Sequence, residues 1–391
     1  MKGLLIFEKR IRKSTAGHYY DSVFTDAVLS RYASVVDELY LVARVDNLDM
    51  PEAEIERKYS RITLPSVHVV EIDNVLSPRG LRKYFSMRRR ILDCVESADV
   101  VFVRIPTIWQ QLVSRRAAKK GKTCILEVGA DVFATYWHEG FFGKLLALGL
   151  EWNTRRVVGN AAHVVYVTEK WLQDKYPTRG VSCACSNVDI VAQPDAVLTR
   201  RLGKIRDMAA PIHLGTLASV STRSKGQDTI IKALSVLKTR GRCEFVYHLA
   251  GAGDPSRLRR LANRLGVQDN VRFDGLIRHD KIGEWFRSID LYVQPSRQEG
   301  LPRALIEAMS YALPALGART GGIPELLPPS CIFDHSANPV RQICAFLESM
   351  APDTLLRLAQ ANFDKAAGFG ARVLEPRRHA FFLSAIQESS T

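Results

Sequence analysis

The sequence predicts an α/β protein with two doubly wound halves, each a mostly parallel sheet between helices, facing one another across a cleft. Three observations predict it. The chain has 391 residues, more than one ordinary core accommodates, and divides naturally into two domains of roughly 190 residues. Short continuous apolar runs rich in β-branched residues alternate with stretches of helical periodicity, as expected for strands covered on both faces by crossover helices. That alternation occurs twice and loosens once, from Gln193-Pro194-Asp195 to Ala209-Ala210-Pro211. The expected organisation is residues 1–190 as one domain, 191–210 as a linker, 211–365 as a second domain and 366–391 as a terminal helical segment.

In the first half, 3–7 reads as a strand. The loop 8–17 is polar and basic, with Lys9, Arg10, Arg12 and Lys13, and Gly17 then precedes a helix over 19–32. Apolar runs at 39–43, 67–72, 100–103, 124–128 and 162–167 read as further strands. Helices are expected at 79–98, 108–120 and 170–175, the first of them basic. In the second half, strands are expected at 212–214, 244–249, 271–273, 289–293 and 312–316. Helices are expected at 226–239, 255–265, 279–287, 323–327, 353–366 and 372–388. Ligands on such sheets bind outside the carboxyl ends of the strands.

One stretch organises the second half: Pro295-Ser296-Arg297-Gln298-Glu299-Gly300-Leu301-Pro302-Arg303-Ala304-Leu305-Ile306-Glu307-Ala308-Met309. It follows the run Ile289–Val293 and reads as strand, tight loop, helix. Pro302 suits the first turn of a helix, where a missing N–H costs nothing. Free backbone N–H groups therefore collect around Gly300 to Ala304, and a helix N-terminus attracts anions through such donors and its dipole. Two acids flank that anion site, Glu299 and Glu307, roughly 6–8 Å apart along the axis at about 1.5 Å per residue. Carboxylates pair poorly with phosphate but accept well from sugar hydroxyls. A loop holding a diphosphate on its amides with an acid on either side suits a nucleotide sugar. Taken alone, the same residues also describe a helix with an acid placed favourably for its dipole.

The full string resembles the Glu-x7-Glu signature of retaining GT-B glycosyltransferases, the large glycosyl transferases group 1 family. The resemblance implies a GT-B fold with two Rossmann-like domains, an N-terminal domain for the acceptor and a C-terminal domain for the nucleotide sugar. It also implies that the last helix crosses back to the first domain. Gly215-Thr-Leu-Ala-Ser-Val-Ser-Thr-Arg-Ser-Lys-Gly226, running on into Gln227-Asp228, resembles the family's donor loop. Gly215 frees the turn after the strand, and Lys225 with Arg223 supplies cationic charge to the diphosphate. Where many members place Arg after the first glycine this chain has Thr216, with Arg223 as the substitute. Gly251-Ala-Gly253 is a tight turn after a strand. Gly275-Leu276-Ile277 resembles the turn whose backbone reads the nucleobase, and Gly321-Gly322 resembles the turn that closes the donor pocket.

Two stretches of the first half, 164–177 and 185–188, resemble a bacterial subset of the family that builds surface polysaccharides. Asp131, His138 and Glu139 are the polar residues expected near the transferred sugar, and Gly17 is expected to let backbone approach the donor phosphate. The roles implied are catalytic for Glu299, Lys225, Asp131 and His138. Donor binding is assigned to Gly215, Thr216, Arg223, Lys225, Gly251, Leu276, Ile277, Glu299, Gly300, Leu301, Pro302, Arg303 and Glu307. No cofactor beyond the nucleoside diphosphate sugar is expected and, with no Asp-x-Asp at a strand end, no metal.

Composition narrows the partners. Net charge is +14, with Lys+Arg 29 against Asp+Glu 23 in residues 1–200 and 26 against 18 in the remainder. Such basicity favours anionic partners without choosing among them. Nucleic acid is not expected, because the aromatics are not interleaved with the basic clusters as a stacking groove requires. Basic helices at 79–90 and 115–122 suit an anionic membrane surface, from which the enzyme would reach a lipid-linked saccharide. No apolar run approaches the roughly 18 residues of a membrane span. The seven cysteines (94, 124, 183, 185, 243, 331 and 344) are scattered without Cys-x-x-Cys spacing, so reduced thiols and a cytoplasmic home, peripheral at the inner face of the membrane, are expected. Two readings from other classes stand beside transfer: a sugar-nucleotide epimerase, which lacks the paired acids, and a non-catalytic sugar-nucleotide-binding protein.

Overall fold

The computed structural model describes residues 1–75, 80, 82–137, 140–188 and 190–388. The chain divides into two compact units, residues 1–185 with 375–391 and residues 186–374.

Among the described residues, unit 1 holds nine strands: β1 (Lys2–Lys13), β2 (Tyr19–Asp21), β3 (Glu38–Asn47), β4 (Ser60–Arg61), β5 (Val67–Ile72), β6 (Val100–Ile105), β7 (Thr123–Val128), β8 (His163–Tyr166) and β9 (Val181–Ala184). β5, β3, β1, β6, β7, β8 and β9 lie side by side and parallel. β2 and β4 add an antiparallel edge beyond the far end of β1. Leu4, Leu5 and Ile6 on β1 and Val100 to Val103 on β6 are fully buried. Burying such a side chain stabilises the fold by roughly 1.5–3 kcal/mol each, so these continuous apolar runs select the centre of the sheet.

The expected loop 8–17 and helix 19–32 are corrected here. β1 continues through Glu8-Lys9-Arg10 to Lys13, its register shifting between Ile6 and Arg10. Ile11 is buried while its neighbours are not, the alternation of a strand with one face covered. Gly17 (φ +89°) then turns the chain into β2. The helix begins only at Asp26 and ends at Ala33. Arg79, at the start of the expected basic helix, lies outside the described residues, and the helix runs over Tyr84–Ser97.

Unit 2 holds β10 (Ile212–Leu217), β11 (Phe245–Ala250), β12 (Val271–Gly275), β13 (Leu291–Gln294), β14 (Ala315–Ala318) and β15 (Ile332–Phe333). Their spatial order is β12-β11-β10-β13-β14-β15, parallel throughout. Counted within the unit, this is the Rossmann order 3-2-1-4-5-6. The winding reverses between β10 and β13, and in such sheets ligands bind outside the carboxyl ends of the strands at that reversal.

The expected linker is a second correction. Residues Asp195–Arg206 form a helix belonging to unit 2. Leu198, Leu202 and Ile205 recur at helical spacing and pack against Leu355 and Ala359 of helix Pro352–Ala367. Basic residues hide that stripe, yet one of them is buried. The Arg201 guanidinium donates to the carbonyls of Phe286 (2.8 Å) and Ile289 (2.7 Å), capping helix Ile282–Ser288 where orphan carbonyls and the dipole favour a cation.

The last helix, Ala371–Glu388, begins in unit 2 and continues into unit 1. Its Phe382 is fully buried against Phe102 and Tyr32, with ring centroids at 5.0 and 5.9 Å. Its Glu375 pairs with the buried Arg31 at 2.8 Å.

Candidate functional site

The loops after β10 and β13 meet at the carboxyl edge of unit 2. From the first comes Lys225, whose ammonium donates to Glu299 Oε1 of the second at 2.7 Å. Glu299 is 12% exposed, so the carboxylate is mostly withdrawn from water but reachable. Gln294, the last residue of β13, donates its amide to the same oxygen at 3.0 Å and to Ser296 Oγ at 3.0 Å. The buried Tyr292 hydroxyl donates to Gln294 Oε1 at 2.9 Å, which fixes which way the amide points. Burial holds that phenol well above its ordinary pKa, so it remains a donor. Glu299 is thus aimed by a chain of hydrogen bonds rooted in the sheet.

Backbone geometry brings the loops together. Gly226 takes φ +70°, and a Cβ there would stand 1.8 Å from the Pro295 carbonyl oxygen. Arg297 locks the approach. Its amide donates to Ser224 O at 2.7 Å, and its guanidinium reaches both oxygens of Asp228 at 2.9 Å and the Arg223 carbonyl at 2.9 Å. Burial raises the Asp228 carboxyl, but the Arg297 hydrogen bonds and charge outweigh it and hold the group below the usual carboxylate range. On the other side, Gly322 N donates to Gly300 O at 2.7 Å. The Gly321-Gly322 turn therefore backs the acidic loop, main chain against main chain. His335 completes the frame, its Nε2 lying 3.0 Å from the Pro295 carbonyl.

Pro302 stands one position before helix Arg303–Ser310, as its N-cap. First-turn amides of a helix have no acceptor within it, and this helix starts at Arg303, four residues on from Glu299. Glu307, one turn in, accepts from Arg303 Nε at 2.7 Å. Leu276 is 76% exposed beyond β12, and Ile277 packs partly buried below. Gly251 ends β11 against the main chain of Ala218. Arg223 is exposed on the rim.

Gly215 and Thr216 lie within β10 and not at a turn after it. A Cβ on Gly215 would meet Ile289 Cδ1 at 2.5 Å and Trp285, so the glycine makes room for packing under the sheet. Thr216 is fully buried, its hydroxyl 2.7 Å from Tyr247 OH and donating to Val293 O at 2.6 Å. Its side chain ties β11 to β13. Thr216→Val therefore leaves the Michaelis constant for the donor unchanged while lowering unfolding free energy by about 1–3 kcal/mol, the cost of stranding buried polar partners. Denaturant melts beside donor kinetics check both halves of that expectation.

In unit 1, Asp131 follows β7 and is already engaged. It pairs with Lys175 at 2.5 Å and accepts weakly from Tyr176 OH at 3.4 Å. Tyr176 in turn donates to Glu151 at 2.5 Å, so Asp131 belongs to a bracing cluster. His138, with Glu139, lies outside the described residues. Gly17 occupies the β1–β2 hairpin turn instead of a helix start.

Sequence reasoning missed Gln294, Asp228 as the partner of Arg297, and His335. Only Gln294 carried a local signal, a lone amide ending an apolar strand.

Residues 211–345 match the family described as glycosyl transferases group 1. Protein CapJ of Staphylococcus aureus is 32% identical over 313 residues, covering 78% of this chain and 75% of CapJ. The chain belongs to the glycosyl transferases group 1 family. The amylovoran biosynthesis glycosyltransferase AmsK of Erwinia amylovora is 33% identical over 132 residues, 32% of either chain. Among solved structures, Anabaena HepE in complex with UDP superposes with a TM-score of 0.67 at 16% identity, covering 98% of this chain and 100% of HepE. This family member is a glycosyltransferase with the GT-B fold, and its unit 2 carries the matched family segment.

Proposed function

We propose that the protein is a retaining hexosyltransferase. It would move a sugar from a UDP- or GDP-sugar to a saccharide or lipid-linked saccharide acceptor, in polysaccharide or glycolipid assembly. The observation that carries this reading is the Lys225–Glu299 pair beside an open helix N-terminus, at the point where the sheet reverses. Lys225 and the first-turn amides meet the charge that grows on the departing diphosphate, an electrostatic contribution that is usually the largest in such sites. With the lysine so engaged, Glu299, aimed by Gln294, accepts hydroxyls of the transferred sugar. The bond from the anomeric carbon to the diphosphate oxygen breaks, and the acceptor oxygen bonds on the same face, its proton passing to the diphosphate. The exposed Leu276 and the main chain after Gly275 suit a nucleobase. UDP bound to HepE and the amylovoran role of AmsK support the choice of donor and of pathway class. The reading calls for no metal ion.

For the acceptor, the strand carboxyl ends of unit 1 open into a cavity of about 600 Å³ lined by Phe7, Glu8, Arg10, Arg44, Thr135 and Tyr136 among others. A thermal-shift screen of UDP-, GDP- and ADP-sugars tests the donor. At a hundredfold excess over Kd, the matching sugar stabilises the protein by about 2.7 kcal/mol. NMR of the product then tests the chemistry. Transfer with the donor's anomeric configuration kept is expected, whereas inverted product, epimerised donor or binding without transfer overturns the reading.

A further inference from the structure

We propose that unit 1 carries a docking surface for an anionic lipid bilayer, with a phosphate headgroup seated in a basic cavity beside an interfacial tryptophan. The surface centres on helix Gly140–Gly159. Leu148, Trp152 and Arg156 are spaced by four, so they form one stripe along it. Leu148 is 66% and Trp152 63% exposed. A single exposed apolar side chain needs no explanation, but two large ones a turn apart, continued by a cation, make an ordered gradient. The Arg156 guanidinium lies 5.7 Å from the Trp152 ring centroid, which couples the apolar end of the stripe to its charged end.

Arg156 also lines a cavity of about 290 Å³ together with Arg115, Lys122, Ser114 and Asn160. This cavity lies between helices Gln110–Lys119 and Gly140–Gly159, at the amino ends of β7 and β8. The sheet therefore separates it from the strand carboxyl ends. Three cations line it and, among the described residues, no carboxylate does. A cavity lined by three cations is complementary to a phosphodiester.

A free phosphate would account for the cavity but not for Leu148 and Trp152. A bilayer accounts for both, because tryptophan favours the headgroup level, where its apolar body and N–H are each satisfied. Each basic residue near an anionic surface adds to the attraction. No helix among the described residues is long and apolar enough to cross a membrane, so the contact is one of lying on the surface. The proposal is independent of sugar transfer, and its test reads binding alone.

Full-length protein is sedimented with vesicles of phosphatidylcholine, with and without phosphatidylglycerol. Binding only to the anionic vesicles is expected, weakening with salt, with tryptophan emission shifted to shorter wavelength. Leu148→Ala with Trp152→Ala, and separately Arg115→Glu with Arg156→Glu, each lower the partition coefficient by about tenfold or more. Trp152→Phe retains binding and loses most of the emission shift. These positions are at the surface, so the variants keep the wild-type melting temperature. Equal binding to both kinds of vesicle overturns the proposal, as does anionic binding that neither double variant weakens. Binding of soluble glycerol phosphate without vesicle binding, or a dimer that Trp152→Ala abolishes in a protein that ignores vesicles, overturns it too.

Discussion

Glu299→Gln lowers the rate of sugar transfer by about a hundredfold or more while leaving the protein folded. The substitution keeps the shape and removes the charge. In the wild type, Glu299 Oε1 receives Lys225 at 2.7 Å and the Gln294 amide at 3.0 Å. A glutamine still accepts one of these but no longer balances the ammonium, and it holds a sugar hydroxyl with a neutral acceptor. Hydrogen bonds to charged groups are roughly twice as strong as neutral ones. The part that strengthens as charge moves onto the diphosphate is what the rate reads. A loss of about 3 kcal/mol of transition-state stabilisation corresponds to the hundredfold. Steady-state kinetics with saturating acceptor, beside calorimetric donor affinity, separate the two roles. Donor binding should weaken far less than kcat/KM falls. Transfer within a few-fold of wild type removes Glu299 from the catalytic assignment.

Gly226→Ala unseats the donor loop and lowers unfolding free energy by about 3 kcal/mol. Two penalties add. A non-glycine residue held at φ +70° costs about 1–2 kcal/mol. The added methyl would also stand 1.8 Å from the Pro295 carbonyl oxygen, so the main chain of one loop must move away from the other. That motion strains Arg297, whose amide and guanidinium hold Ser224 and Asp228, and uncovers a partly buried carboxylate. For a unit of this size the loss lowers the melting temperature by roughly 6–12 °C. Gly241→Ala is the matched comparison. Gly241 has φ +77° with nothing within 4 Å of its Cβ position, so it bears the backbone penalty alone. Equal melting temperatures for the two variants would show that the Gly226–Pro295 contact contributes nothing.

How much of this was legible depends on how each residue declares itself. The central strands were readable because a strand buried on both faces is a bare apolar run: 67–72 coincides with β5, and 124–128 falls within β7. Length and alternation were enough for two doubly wound halves. The second half of β1 was not readable, since beyond Ile6 it leaves the covered centre for a polar edge, where Ile11 points inward between Arg10 and Arg12. The helix in the expected linker was masked by Arg200, Arg201 and Lys204, because burial of a guanidinium depends on carbonyls 85 and 88 residues away. Around the site, Glu299 and Lys225 were legible as charges at strand ends. The inward turn of Thr216 was not, because adjacent residues of a strand face opposite ways and sequence spacing does not say which face is open. His335 reaches Pro295 across 40 residues, and no local pattern records such a contact.

The passage of the last helix from one unit to the other sets an order of events during synthesis. Unit 1 is interrupted in sequence by all of unit 2, so its first 185 residues leave the ribosome lacking the segment that completes their core. Until residues 375–388 emerge, Phe102 and Tyr32 have no Phe382 to cover them and Arg31 has no Glu375. Unit 2, though later in the chain, is the one whose parts arrive together. Domains generally fold as units as they emerge, so the later-made half closes first, and the earlier-made half waits, with apolar surface uncovered, until residues 375–388 have been made.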